Sequence, residues 1–369
     1  MTSNIYEKYK LKEVINASGK MTILGVSKTP DEITNLQKFA GQNFFEIADL
    51  VEKTGIYIAN LLNVEDACVV SSASAGIAQS ISALIGKGDP YHLYHPYAKE
   101  IQKREIVIPK GHNVDYGTAV EVMVQVGGGE IREAGYANMC QKEHVEMMMT
   151  ENTAALLYIK SHHTVQKSML TVEEMVEVSK QYQVPLIVDA AAEEDLTKYT
   201  KAGADLVIYS GAKAIDGPTS GLVIGKKEPI SWVQMQSKGI GRAMKIGKEN
   251  IVAFTGAVER YLKEPGETGI EMKQRLKPFI EALNSITGLS VKEVQDAAGR
   301  EIYRASVKVI DRSAKEVISE LKSHNPAIYT REYQANNGII EFDIRAVNEE
   351  EMQAIIARLK EIMESGKKE

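Results

Sequence analysis

Asp205–Gly225 reads DLVIYSGAKAIDGPTSGLVIG. A run that is apolar at consecutive positions ends in Ser-Gly-Ala-Lys, passes through a Gly-Pro turn and returns as a second apolar run. Strands covered on both faces carry this unbroken apolar pattern, so the stretch predicts two strands in the middle of a sheet flanked by helices. Lys213 then projects from the loop at the carboxyl end of a central strand, which is where open α/β sheets bind ligands. A lysine held there, away from bulk water, has its ammonium form disfavoured, and its free amine can condense with a carbonyl. Gly211, Ala212 and Ala214 leave room for a flat ring, and Ser210 can offer its hydroxyl to a phosphate. Taken alone, a Ser-x-x-Lys is more often a solvated loop lysine.

The same pattern extends upstream. Ala67–Ser71, Glu105–Pro109, Ala154–Ile159 and Pro185–Asp189 are short apolar runs with amphipathic stretches between them. Thr171–Gln183 opens TVEE, a Thr followed three residues later by Glu, which is a reciprocal helix cap. Strands alternating with helices predict an α/β fold with a mostly parallel sheet. Phe44–Leu62 predicts one long amphipathic helix behind an N-terminal arm. Beyond about Pro265 come helix Met272–Ile286, strand Arg304–Val309, helix Ser313–Ser323, strand Gly338–Ile344 and helix Asn348–Ser365, a smaller α+β pattern. The expected organisation is an arm over 1–43, a large domain over 44–264 and a small C-terminal domain over 265–369.

Composition removes several classes of function. A chain of 369 residues, 44% hydrophobic and 25% charged, has the make-up of a globular protein with one large and one smaller domain. The net charge of −6 comes from well-mixed acids and bases, which gives no basic face for nucleic acid. Cys68 and Cys140 are the only cysteines, too few for a disulfide framework and without metal-site spacing, so no metal is expected. MTSNIYEKYKLKEV lacks the apolar core of a signal peptide, and no apolar run approaches the roughly 18 residues of a membrane span. The expected location is the cytoplasm, with no membrane partner.

Two further features raise the weight of Lys213. Asp189 ends the apolar run VPLIVD and is followed by small residues. A carboxylate at a strand end can face the ring nitrogen of pyridoxal 5'-phosphate (PLP) and keep it protonated, which makes the ring an electron sink; a helix N-cap is the competing use. In CVVSSASAGIAQSISAL a strand breaks into Ser71, Ser72, Ala73, Ser74, Ala75 and Gly76 before a helix. Small residues at a helix start expose backbone N–H groups to a phosphate, and the absence of a Gly-Lys-Ser/Thr loop disfavours a nucleoside triphosphatase. His112, in VIPKGHNVDYG, also follows a strand and is the candidate aromatic face for the cofactor ring, against an ordinary surface histidine.

Ser71–Gly76, Asp189 and the YSGAK of Lys213 together resemble fold-type I PLP enzymes. VINASGKMTILG (Val14–Gly25) narrows the resemblance to relatives of bacterial selenocysteine synthase. YIKSHHTVQKSML, VDAAAEEDL, YSGAKAIDGPTSGLVIG and GIGRAMKIGKE are similar to the D-glucosaminate-6-phosphate ammonia-lyase (dehydratase) family over nearly the whole chain, less so after about residue 265. The resemblance implies a fold-type I PLP-dependent transferase fold and conversion of 2-amino-2-deoxy-D-gluconate 6-phosphate to 2-keto-3-deoxygluconate 6-phosphate and ammonia by α,β-elimination. It implies Lys213 as the covalent lysine, Asp189 at the ring nitrogen, Ser72, Ala73, Ser74 and Ser210 at the phosphate, and His112 on the ring. An amino-sugar-acid phosphate also needs cations, and SKGIGRAMKIGKEN offers Lys238, Arg242, Lys245 and Lys248. Arg242 and Lys245 are assigned to the substrate phosphate or carboxylate; a solvated basic helix fits the same spacing. Of the adjacent His162 and His163, His163 is assigned to the substrate or to proton transfer.

Fold-type I enzymes build each site between subunits, so a homodimer or larger homo-oligomer is expected, and Asn16 and Ser18 of the arm are candidates to reach a neighbour's site. The alternatives are another fold-type I reaction, selenocysteine-synthase-like elimination or replacement or amino transfer on a different amino acid, and a non-catalytic sugar-phosphate sensor. Selenocysteine synthases add an N-terminal domain for transfer RNA, which this sequence does not show. A sensor would not need the Lys213–Asp189 pair.

Overall fold

The computed structural model describes residues 4–161, 163–264, 266–296 and 301–365. His162, the alternative to His163, and Pro265, the expected domain boundary, lie outside the described residues. The chain forms two compact units: one is Thr29–Glu264, the other joins the chain up to Lys28 with the chain from Pro265 onward.

Strand β1 (Val14–Ala17) belongs to the second unit. The first contains β2 (Asp66–Val70), β3 (Glu105–Pro109), β4 (Glu130–Ala134), β5 (Thr153–Ile159), β6 (Leu186–Asp189), β7 (Leu206–Ser210) and β8 (Gly221–Gly225). They form one sheet of order β2-β8-β7-β6-β5-β3-β4. β8 runs antiparallel to both neighbours and every other pair is parallel. β5 is buried at all seven positions and β6 at all four. Alternate residues go to opposite faces, as the strand period demands. Leu186 and Val188 join a core with Leu156, Val207, Met175 and Phe254, whereas Ile187 joins Ile77, Ile81, Ile208 and Val223 on the other side.

The strand reversal decides where a site can form. Gly221, the first residue of β8, is in register with both Ser210 and Val70. The carboxyl ends of β2, β3, β5, β6 and β7 therefore share one edge with the start of β8.

Helix Val172–Tyr182 carries the expected reciprocal cap, with Thr171 Oγ1 accepting from Glu174 N at 3.1 Å and Thr171 N donating to Glu174 Oε2 at 2.6 Å. The helix expected over Phe44–Leu62 begins at Ile47. Ahead of it stands Asp31–Gln42, a helix within the stretch read as an arm. Its Ile33 and Ala40 are fully buried and its Leu36 packs on the core that holds Phe254, which places this helix in the first unit. β4 was not foreseen: EIREA is an edge strand with only Ala134 buried, so it lacks the apolar signature of the inner strands.

The second unit contains β9 (Leu289–Gln295), β10 (Tyr303–Val309), β11 (Ala327–Thr330) and β12 (Ile339–Phe342). β12, β10 and β9 form an antiparallel sheet, and β1 pairs in parallel with β11. Helices Gly269–Asn284, Ala314–Ser323 and Glu349–Ser365 cover a core of Leu276, Phe279, Leu321, Phe342 and Leu359. Pairing with β11 draws the first residues of the chain into this unit.

Arg304 is buried there between Asp296, at 2.9 Å, and Asp343, at 3.1 Å. Burial would raise the Asp343 carboxyl, but Arg345 and Arg304 outweigh it and hold it at about 2. Removing one partner of a buried ion group strands the others, so Arg304→Ala should destabilise this unit by about 3–5 kcal/mol. Urea denaturation measures the loss; a change below about 1 kcal/mol would contradict the reading. Because the folded pKa of Asp343 is depressed, the stability it contributes is present above the ordinary carboxylate range and is lost as pH falls toward 2.

Candidate active site

Helix Ala73–Gly86 leaves the sheet edge directly after β2. Ser72 is its N-cap: its Oγ accepts from Ala75 N at 3.0 Å and its carbonyl from Gly76 N at 2.9 Å. The Ser72 hydroxyl is thus engaged in holding the helix start. The amides of Ala73 and Ser74 lie ahead of those bonds, at the positive end of the helix dipole, and form a cup suited to an anion. Gly221 lies directly against the cup. A Cβ there would stand 2.5 Å from the carbonyl carbon and oxygen of Ser72 and 2.8 Å from Ala73 N. Only glycine lets β8 begin so close to the helix.

Asp189, the last residue of β6, is 8% exposed. Its Oδ1 accepts from Ala191 N at 3.0 Å. Burial pushes its carboxyl up to about 6, against the opposing pull of Lys213 and of the Ala191 amide. The charge of Lys213 is therefore felt at Asp189, and the two groups occupy one electrostatic neighbourhood. Lys213 is half-buried on the loop after β7. Three backbone bonds fold that loop back on itself: Lys213 N to Ser210 O at 3.3 Å, Gly211 N to Ser220 O at 2.9 Å and Gly217 N to Gly211 O at 2.9 Å. Ser210 N donates to Ala191 O at 3.1 Å, joining this loop to the turn after Asp189.

His163 is exposed on the loop after β5. Partial burial and then the positive charge of Lys213 lower its imidazole, while Asp115 opposes. Lys160, on the same loop, donates its amide to Asp189 O at 2.8 Å and its Nζ to Gln166 Oε1 at 2.8 Å. His112 is fully buried after β3. Its Nε2 lies 3.2 Å from Val165 O, and its ring meets Tyr158 edge-on at 4.5 Å. Burial pushes this imidazole down to about 4, so the ring is neutral, and Nδ1 is a buried atom with no hydrogen-bond partner among the described residues.

Tyr116 was not singled out from the sequence. Its Oη lies 3.1 Å from Ser74 Oγ, and its phenol also feels the carboxylates of Asp189 and Asp115. The only local signal is VDYG, a turn in which Gly117 N donates to Asp115 Oδ1 at 2.7 Å.

Arg242 and Lys245 are exposed. Arg242 ends a short helical turn, Ile240–Arg242, seated on the flank of helix Ala73–Gly86. Ser82 Oγ donates to Gln236 Oε1 at 3.0 Å, and a Cβ on Gly241 would stand 2.7 Å from Gln79 Oε1. Lys248, of the same basic cluster, is engaged elsewhere, its Nζ binding the carbonyls of Gly41 and Asn43 at the end of helix Asp31–Gln42. Lys213, Asp189, His163, Tyr116 and Ser74 are thus linked by contact or field, whereas His112, Arg242 and Lys245 are tied to them by their elements alone. No helix among the described residues is long and apolar enough to cross a membrane.

Residues 96–314, more than half of the chain, match the family described as L-seryl-tRNA selenium transferase. D-glucosaminate-6-phosphate ammonia lyase of Salmonella typhimurium (strain 14028s / SGSC 2262) is 46% identical over 99% of this chain and 99% of its own. A 5'-C-glycyluridine monooxygenase-decarboxylase from a Streptomyces species is 33% identical over 97% of this chain and 92% of its own. A solved structure of D-glucosaminate-6-phosphate ammonia-lyase superposes with a TM-score of 0.93 at 45% identity, covering 99% of both chains. A Thermus thermophilus aspartate aminotransferase, 14% identical with a TM-score of 0.53 over 96% of this chain and 93% of its own, shares the fold alone. The fold is that of the fold-type I PLP enzymes, and the family resemblance read from the motifs is borne out.

The packing of Gly221 on Ser72 generates a direct test. Gly221→Ala should cost about 1–3 kcal/mol in urea denaturation, because the added carbon overlaps backbone atoms that cannot move independently. Gly41→Ala, with nothing within 4 Å of the added carbon, is the control and should be neutral or stabilising. Equal effects of the two would remove the argument for a close-packed cup.

Proposed function

The chain belongs to the L-seryl-tRNA selenium transferase family, and we infer that it is a carbon–nitrogen lyase converting D-glucosaminate 6-phosphate to 2-keto-3-deoxygluconate 6-phosphate and ammonia. The observation that carries the reading is a buried Asp189 within the field of Lys213, on a chain that matches a D-glucosaminate-6-phosphate ammonia lyase over 99% of its length.

PLP fits the residues present. An open helix start offers amides to a phosphate, a buried carboxylate awaits a cation, and the unpartnered Nδ1 of His112 marks a neutral ring with hydrogen-bonding capacity to spare. When bound, PLP supplies an electron sink for negative charge developing next to the substrate amine. Lys213 would hold it covalently through its amine. Asp189 would serve the ring nitrogen, where a positive charge would offset the cost of keeping this carboxylate charged and buried. The Ala73 and Ser74 amides, with Ser72 and Ser210 beside them, would hold the phosphate, and His112 would cover the ring.

The amine of Lys213, when not bonded to the cofactor, would be the base that takes the substrate Cα proton. Loss of the C3 hydroxyl needs a proton donor, since hydroxide is a poor leaving group. The water lost at C3 is returned in hydrolysis, so ammonia is the net loss. His163, exposed and close enough to feel Lys213, serves proton transfer at the substrate. Arg242 and Lys245 meet the substrate phosphate or carboxylate. The protein acts on this small molecule in the cytoplasm as a homodimer or larger homo-oligomer. Its likeness to a monooxygenase-decarboxylase keeps one alternative in view, the same cofactor residues serving another reaction on a different amino acid.

Incubation with D-glucosaminate 6-phosphate should release ammonia and a keto acid in equal amounts without any added keto-acid acceptor. Lys213→Ala should abolish both and remove the absorbance of the lysine–PLP adduct. Arg242→Glu should raise KM about tenfold or more. Ammonia that appears only with an acceptor would move the reading to amino transfer, and an unchanged KM would remove Arg242 from the site.

A further inference from the structure

We propose that Tyr116 is a positioning residue that orients the hydroxyl of Ser74 toward the phosphate of the cofactor. The inference rests on the cofactor reading above and concerns a residue which that reading does not use. Tyr116 Oη is 3.1 Å from Ser74 Oγ, and Ser74 lies in the first turn of helix Ala73–Gly86. An anion in that cup accepts hydrogen bonds, so every hydroxyl beside it must present its proton. Ser74 has one proton to give. If it went to Tyr116, the serine would meet the anion with lone pairs. A phenol is the stronger acid of the two, so the Tyr116 O–H donates to Ser74 Oγ and the serine proton is turned into the cup.

The surroundings fix this arrangement. Tyr116 packs against the core that holds Ile77 of this helix and Ile106, Ile108 and Ile208 of the sheet. Its amide donates to Thr118 O at 3.1 Å within the turn closed by Asp115 and Gly117. Burial raises the phenol pKa, the Ser74 hydrogen bond opposes, and Asp189 and Asp115 raise it further. The hydroxyl therefore keeps its proton through the neutral range.

A double-mutant cycle tests the relay. Wild type, Tyr116→Phe, Ser74→Ala and the double variant are titrated with PLP, and binding is read by equilibrium dialysis and by the absorbance of the Lys213 adduct. Each single change should weaken binding about 3- to 10-fold, and the double variant should match Ser74→Ala alone. Inorganic phosphate, titrated as a competitor, should weaken against Tyr116→Phe by a similar factor, which a loss confined to the ring pocket would not produce. Wild-type affinity in Tyr116→Phe, losses that multiply in the double variant, or unchanged phosphate competition would each overturn the proposal. Wild-type protein that takes up no PLP would remove the cofactor reading as well, whereas normal uptake with an unaffected Tyr116→Phe would remove this inference alone.

Discussion

A carboxylate held out of water within the field of a lysine is the constraint on which the site depends. Asp189 closes a strand that is buried at every position, so its charge has little solvent to stabilise it. Lys213 and one backbone amide offset part of that cost and leave the carboxyl titrating near 6. Between the ordinary carboxylate range and about 6 the folded chain keeps a proton that the unfolded chain has lost. The contribution of this group to stability therefore falls as pH rises across that window. Such a strained group in the middle of a sheet makes physical sense where a cation is to be bound.

The strand order of the first unit brings the loops of Asp189 and Lys213 to one edge. The reversed strand β8 brings Gly221 level with the carboxyl ends of its neighbours, and the missing side chain there lets the helix start approach. Anion cup, lysine loop and carboxylate then succeed one another along β2, β7 and β6. Tyr116 meets Ser74 of the cup and feels the charge of Asp189, and the loop after β5 adds His163. The order of strands sets the order of chemical groups.

Much of this was legible in the sequence, for reasons particular to each element. Glu105–Pro109 and Gly221–Gly225 stand where their unbroken apolar runs place them, because strands buried on both faces leave no choice of period. Asp189 at the end of β6 and Lys213 on the loop after β7 stand at the strand ends where their apolar runs place them. β1 and β11 were not, since four-residue strands carry little pattern and these pair between opposite ends of the chain. Tyr116 escaped because its partner Ser74 is 42 residues away and a loop aromatic has no periodicity. In the basic segment, spacing alone could not separate Lys248, which binds the end of a helix, from the exposed Arg242 and Lys245.

The account is tested most directly by following the Asp189 carboxyl carbon by ¹³C NMR across pH in cofactor-free protein, in the wild type and in Lys213→Ala. It predicts a midpoint near 6 in the wild type and a higher one once the lysine charge is gone. A carboxyl that titrates at about 4 in both, as an exposed aspartate does, would contradict it.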